Sequence, residues 1–106
     1  MKKIIYYCVL VSTLIPACTT LTELQEHAGH YRRYQDYQSL NQVVNLIPLG
    51  ADVKEVTRLL GKPIDNGFDI RYVLDSIGPN NCTVGAVFHL DENRKVDQKW
   101  LDEICE

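Results

Sequence analysis

No stretch of the 106 residues is long and apolar enough to span a bilayer: the longest apolar run, Ile4 to Ile15, covers about 12 residues where a spanning helix needs about 20. Basic residues are too few for a nucleic-acid partner or for broad adhesion to anionic lipid, since 11 Lys and Arg stand against 14 Asp and Glu, a formal charge of −3. Internal repeats and low-complexity tracts are also missing. There is no glycine loop to cradle phosphate, and no Ser/His/Asp or Cys/His set at a spacing that suggests nucleophilic catalysis. His27 and His30 lie close enough to share an ion on a helix, but Gly29 between them weakens any helix and no third ligand is evident. His89 falls on the outward face of a strand. The expectation is a chain with no catalytic residues, metal, cofactor or small-molecule substrate.

What is present begins at the amino end. Met1-Lys2-Lys3 followed by the apolar run has the shape of a secretory signal, and Ile15-Pro16-Ala17-Cys18 resembles a bacterial lipobox. Residues 1–17 are then removed, and Cys18 becomes the acylated first residue of the mature protein. Two or more acyl chains make a stable anchor where one gives only reversible binding. Thr19 is not the aspartate of an inner-membrane retention signal, so the expected address is the periplasmic face of the outer membrane, held by lipid. Cleavage removes Lys2 and Lys3 and no acid, which moves the formal charge from −3 to −5.

Of four cysteines, Cys8 leaves with the signal and Cys18 is committed to lipid. Cys82 and Cys105 remain, and in an oxidising compartment they read most simply as a disulfide, with free or metal-binding thiols as the alternative. Closing that loop would contribute roughly 3 kcal/mol on the chain-entropy model, a large share for so small a domain.

Residues 18–38 are polar and show no clear helical period apart from Tyr31, Tyr34 and Tyr37, and they read as a lipidated tether. Tyr31-Arg32-Arg33-Tyr34 reads as a solvated segment that partly caps the domain, with aromatics and cations placed at the lipid headgroup level or docked on a partner as the alternative. A first short helix starts at the capping box Ser39-Leu40-Asn41-Gln42 and carries Leu40, Val43, Val44 and Ile47 on one face. Pro48 and Gly50 end it. Asp52 and Glu55 form a second capping box, Val56, Leu59 and Leu60 supply an apolar stripe, and Gly61 with Pro63 stops the helix after about two turns. The period then changes to two. Phe68, Ile70, Tyr72 and Leu74 form the inward set of one strand, Val84, Ala86, Phe88 and Leu90 that of a second, and Val96 and Trp100 belong to a third. With Asp91 opposite Lys95, Ala86 faces Trp100 and Phe88 faces Gln98, which leaves Cys82 one step diagonal from Cys105. A direct bridge therefore requires a bulge, and Gly85 is a place for one.

Gly50, Asp52, Val56, Leu60, Gly61 and Pro63, in that spacing, resemble the signature of the SmpA/OmlA family of small outer-membrane lipoproteins. The lipobox and the strand-turn-strand Val87 to Val96 resemble the family too. The resemblance implies an α+β fold for residues 39–106, in which two short N-terminal helices pack on a three-stranded antiparallel meander, an architecture also similar to one repeat of the β-lactamase inhibitor proteins. It implies a non-enzymatic structural or binding module, a BamE-like accessory of β-barrel assembly and envelope integrity. Family members carry a Tyr-Val pair in the first strand, matched by Tyr72-Val73, with a basic residue following where this chain has Asp75. Arg71, Tyr72 and Asp75 are thus the residues expected to meet a protein partner in the envelope. The alternative is a periplasmic inhibitor, or a secretion, plasmid or phage accessory, that binds a different protein with the same scaffold.

Overall fold

The computed structural model describes residues 15–106, with side chains from Leu21 onward. The expected signal segment up to residue 14 and the side chain of Cys18 lie outside the described residues. Among those described, the order is α1 (Ile15–Tyr34), α2 (Tyr37–Leu46), α3 (Val53–Leu60), β1 (Ile64–Asp65), β2 (Asp69–Ile77), β3 (Thr83–Leu90) and β4 (Val96–Ile104). The strands form one antiparallel sheet in chain order. The α+β class is as expected, with a third helix and a fourth, two-residue strand added to the anticipated two and three.

The added helix occupies most of the segment read as a tether. Leu24, Ala28 and Tyr31 are buried at i, i+4 and i+7, a narrow stripe made of one large aliphatic residue, one methyl and one ring, set in otherwise polar sequence. The Tyr31 ring meets Tyr72 edge-on at 6.3 Å, so α1 belongs to the domain core. Gln35 takes a positive φ of 53° and its N–H bonds Tyr31 O, which turns the chain into α2.

Helix α2 starts three residues earlier than the Ser39 box predicts. Asp36 is the N-cap and accepts from the Ser39 N–H at 3.1 Å, so Ser39 lies inside the first turn. Helix α3 begins and ends where expected. Asp52 caps it by accepting from the Lys54 N–H at 2.9 Å, while Glu55 pairs forward with Arg58 and so does not complete a reciprocal box. Gly50 and Gly61 both take positive φ, 93° and 95°, which explains glycine at those motif positions. Gly50 N–H donates to Val96 O, Val96 N–H to Ala51 O, and Val53 N–H to Arg94 O, so the link between α2 and α3 is sewn onto the start of β4.

On the covered face of the sheet, Ile70, Tyr72, Leu74, Ala86, Phe88, Leu90 and Val96 join Leu40, Val43, Ile47 and Val56 in one core. Tyr72 packs edge-on to Phe88 at 6.2 Å and donates its hydroxyl proton to Gly61 O at 2.7 Å. Phe68, expected inward, is exposed and lies just before β2.

The pairing of β3 with β4 differs from the predicted register by one residue over most of its length. Leu90 does pair with Val96, but His89 pairs with Gln98, so Asp97 is a bulge residue and every later partner moves by one. Phe88 therefore faces Lys99 and Ala86 faces Leu101, while Trp100 turns to the opposite face beside Val87. The same step sets Thr83 opposite Ile104, and Cys82 and Cys105 are joined as a disulfide with Cα atoms 5.3 Å apart. The bulge that the bridge needs lies at Asp97. Gly85 serves close packing instead, since a Cβ there would lie 2.9 Å from Tyr72 O and 3.0 Å from Ile104 Cδ1. Its small size lets the neighbouring strand and Ile104 close over it.

Candidate binding face

Alternation along the strands gives the sheet a second face, and the three helices leave it uncovered. Its cross-strand rows are Asp69, His89 and Gln98; Ile64, Arg71, Val87 and Trp100; Val73, Gly85 and Asp102; and Ile77, Thr83 and Ile104. Val87 at the centre is buried, yet Ile64, Phe68, Val73, Ile77 and Trp100 are 37% to 60% exposed on this side or at its margin. Large apolar side chains left open on one face of a small domain make that face the candidate for contact with something other than water. A cleft of about 590 Å³ runs over it, lined by Ile64, Phe68, Val73, Thr83 and Ile104, with Arg71 and Glu106 along it.

Arg71 is the one Lys or Arg in these rows. Its Nη2 lies 3.2 Å from Asp69 Oδ2 and its Nη1 2.5 Å from Glu106 Oε2, and hydrogen bonds to Glu106 first and Asp69 second raise the guanidinium pKa. Asp69, nearly fully buried, also accepts from Asn66 Nδ2 at 2.8 Å, so this carboxylate below the surface is satisfied. The charge of Arg71 is already matched from two sides. Asp75 and Asp102 are exposed, and neither makes a salt bridge among the described residues.

The three residues expected to meet a partner are thus separated. Arg71 lies on the open face under Glu106, Asp75 is exposed in the irregular part of β2, and Tyr72 points the other way into the core. Burial, with the neighbouring Tyr31 adding to it, pushes the Tyr72 phenol far above its ordinary value of 10.0, so it stays neutral. Trp100 and Ile64 escape a reading of the sequence because the Asp97 bulge and the short β1 pairing are not visible in the alternation of single strands, and Ile77 because β2 runs on to the edge of the Gly78-Pro79 turn. The exposure of Phe68 has no sequence signal.

Two other clusters invite a chemical reading. Ser39, His30 and Asp36 do come together, although their spacing in the sequence gives no hint of it: Ser39 Oγ is 2.5 Å and Asp36 Oδ1 3.0 Å from the same ring nitrogen, His30 Nδ1. A catalytic relay needs the carboxylate on one nitrogen and the nucleophile on the other. Ser39 Oγ moreover donates to Asp36 Oδ2 at 3.1 Å, so the three tie the end of α1 to the cap of α2. The other cluster is Cys82, Glu103 and Cys105, whose ligand atoms lie within 4.8 Å of one another. Its two sulfurs are bonded to each other, and Glu103 already accepts from the N–H groups of Asn80 and Cys82 and from Asn80 Nδ2. Among the described residues no helix is long and apolar enough to cross a membrane.

Compared with family models, with curated proteins and with solved structures, the chain matches none. The SmpA/OmlA resemblance rests on sequence patterns alone, those at Gly50 to Pro63, Ile15 to Cys18 and Val87 to Val96.

Proposed function

We propose that this chain is a non-enzymatic, lipid-anchored binding module of the outer membrane, which presents the helix-free face of its sheet to a protein partner in the envelope. The observation that carries the reading is the group of large apolar side chains exposed together on that face. The lipobox at Cys18 supports the address, and the motif around Gly50 to Pro63, with its positive-φ glycines and its stitching to β4, supports the BamE-like version in which the partner is the β-barrel assembly machinery.

The test is mild crosslinking of the protein in its own envelope, followed by capture through this chain and identification of what accompanies it. Recovery of barrel-assembly components, lost when Val73→Asp and Trp100→Ser are introduced together in a protein that still folds, is the expected result. Recovery of an enzyme as sole partner would replace the assembly role with inhibition on the same scaffold. Undiminished capture by the double variant would remove the open face from the function.

A further inference from the structure

We propose that the open sheet face receives a cationic, apolar-rich polypeptide segment of its partner, an inference that rests on the reading of this face as a protein-docking surface. Its centre is apolar, with Val73, Ile77 and Trp100 exposed around the buried Val87. Its charged groups are nearly all acidic. Asp102 stands in the same row as Val73 and Asp75 follows Val73 by two residues on β2, both exposed, while Glu106, along the cleft, is already taken up by Arg71. Arg71 adds no free positive charge, because Asp69 and Glu106 hold it.

The three kinds of occupant differ in what happens to these carboxylates. An acidic segment or an anionic lipid headgroup would be repelled by Asp75 and Asp102. A neutral apolar segment would cover Val73 and Trp100 and leave the carboxylates beside them stripped of water with no counter-charge, which is costly. A segment that carries Lys or Arg between apolar residues buries the apolar centre and gives each carboxylate a partner. Charge complementarity therefore selects the third.

Trp100 is the chain's single tryptophan and lies on the face itself, so its emission reports on occupancy. The protein, reconstituted in neutral phosphatidylcholine vesicles, is titrated with a peptide of alternating Arg and Val, about as long as β2, and with the same peptide carrying Glu for Arg. The Arg peptide should shift Trp100 emission to the blue, and its affinity should fall about tenfold between roughly 0.05 and 0.5 M salt. The Asp75→Asn and Asp102→Asn double variant should bind it about tenfold more weakly, with the emission of the free protein unchanged. Equal binding of the two peptides, absence of any shift, or a shift produced by concentrating the protein alone would overturn the proposal, the last making a second copy the occupant. A photo-reactive residue at Val73 separates the two layers of inference in the envelope. Attachment to a protein at a Lys- or Arg-bearing segment supports both. Attachment at an acidic or neutral segment overturns this proposal and leaves the docking reading standing, and no attachment to any protein sinks both.

Discussion

Lys99 shows how a single residue is decided by the register of the strand that carries it. Alternation counted from Val96 without a bulge sends Lys99 to solvent; the extra residue Asp97 turns it toward the helices, where its Nζ donates to Val44 O at 2.5 Å and to Asn45 O at 3.2 Å. Those carbonyls belong to the last turn of α2, which has no basic residue of its own, so Lys99 supplies the positive charge that the helix C-terminus favours. Burial pulls its pKa below the ordinary 10.5, and that desolvation offsets part of the gain. Lys99→Met should therefore lower stability by about 1 kcal/mol in urea unfolding, and an unchanged midpoint would mean that water serves these carbonyls equally well. Asp52 offers a test with pH. The Lys54 backbone N–H holds its carboxyl below the ordinary 3.8 against desolvation, and the charge of Lys95 adds to the effect. With the folded pKa below the unfolded one, the unfolded chain binds more protons between the two values, so this contribution is complete above 3.8 and is lost as pH falls through the folded value. Asp52→Asn keeps the capping oxygen and removes the titration. Thermal midpoints measured downward from about pH 6 should fall less steeply for the variant below about pH 4 than for the parent; parallel curves would remove Asp52 from the acid response.

At the scale of elements, legibility follows the strength of the apolar pattern. Helix α3 is readable to the residue because Asp52, Gly61 and Pro63 mark its ends and Val53, Val56, Leu59 and Leu60 fill one side. The inward sets of β2 and β3 are readable for the same reason, with three of the four predicted residues of each strand buried. Helix α1 is hidden because its buried stripe spends only one large aliphatic side chain, Leu24, and relies on Ala28 and Tyr31 for the rest. The open face is hidden because it depends on which residues of different strands stand side by side, and a one-residue bulge at Asp97 reassigns that for all of β4 that follows. The disulfide is where the two kinds of information meet. Cysteine count and compartment indicate the pair, strict alternation puts it out of reach, and the bulge restores it by setting the two residues beside the Thr83 and Ile104 pair. The bridge ties the start of β3 to the end of β4 across a sequence separation of 23. Replacing both cysteines by serine should lower stability by roughly 3 kcal/mol in denaturant unfolding, with the far-ultraviolet spectrum retained, since the strands stay paired through the turn at Asp91. A loss below about 1 kcal/mol would show that the hydrogen bonds of Glu103 to the Asn80 and Cys82 backbone already close that end of the sheet.

For the molecule as a whole, the helical character of α1 changes what lipidation at Cys18 would mean. A tether would let the domain stand off the membrane and turn freely. The backbone is instead helical from Ile15 onward, and Leu24 is already in the core. At 1.5 Å of rise per residue, the step from Cys18 to Leu24 is about 9 Å, close to the roughly 5–8 Å of one headgroup layer. An anchored Cys18 would then hold the domain against the membrane surface with a restricted orientation, and partners would approach from one side. Two variants separate anchoring from positioning. Cys18→Ala should move the protein from the membrane to the soluble envelope fraction, and its persistence at the outer membrane would refute lipid anchoring at this residue. A flexible Gly-Ser spacer of about ten residues placed directly after Cys18 should keep the protein on the membrane while letting the domain drift by roughly 17 Å, the mean reach of such a chain. Crosslinking to the partner through a probe at Val73 should fall with the spacer if the short helical connection aims the open face. Equal yields would show that the partner finds the face however the domain is held, and that α1 matters for the core alone.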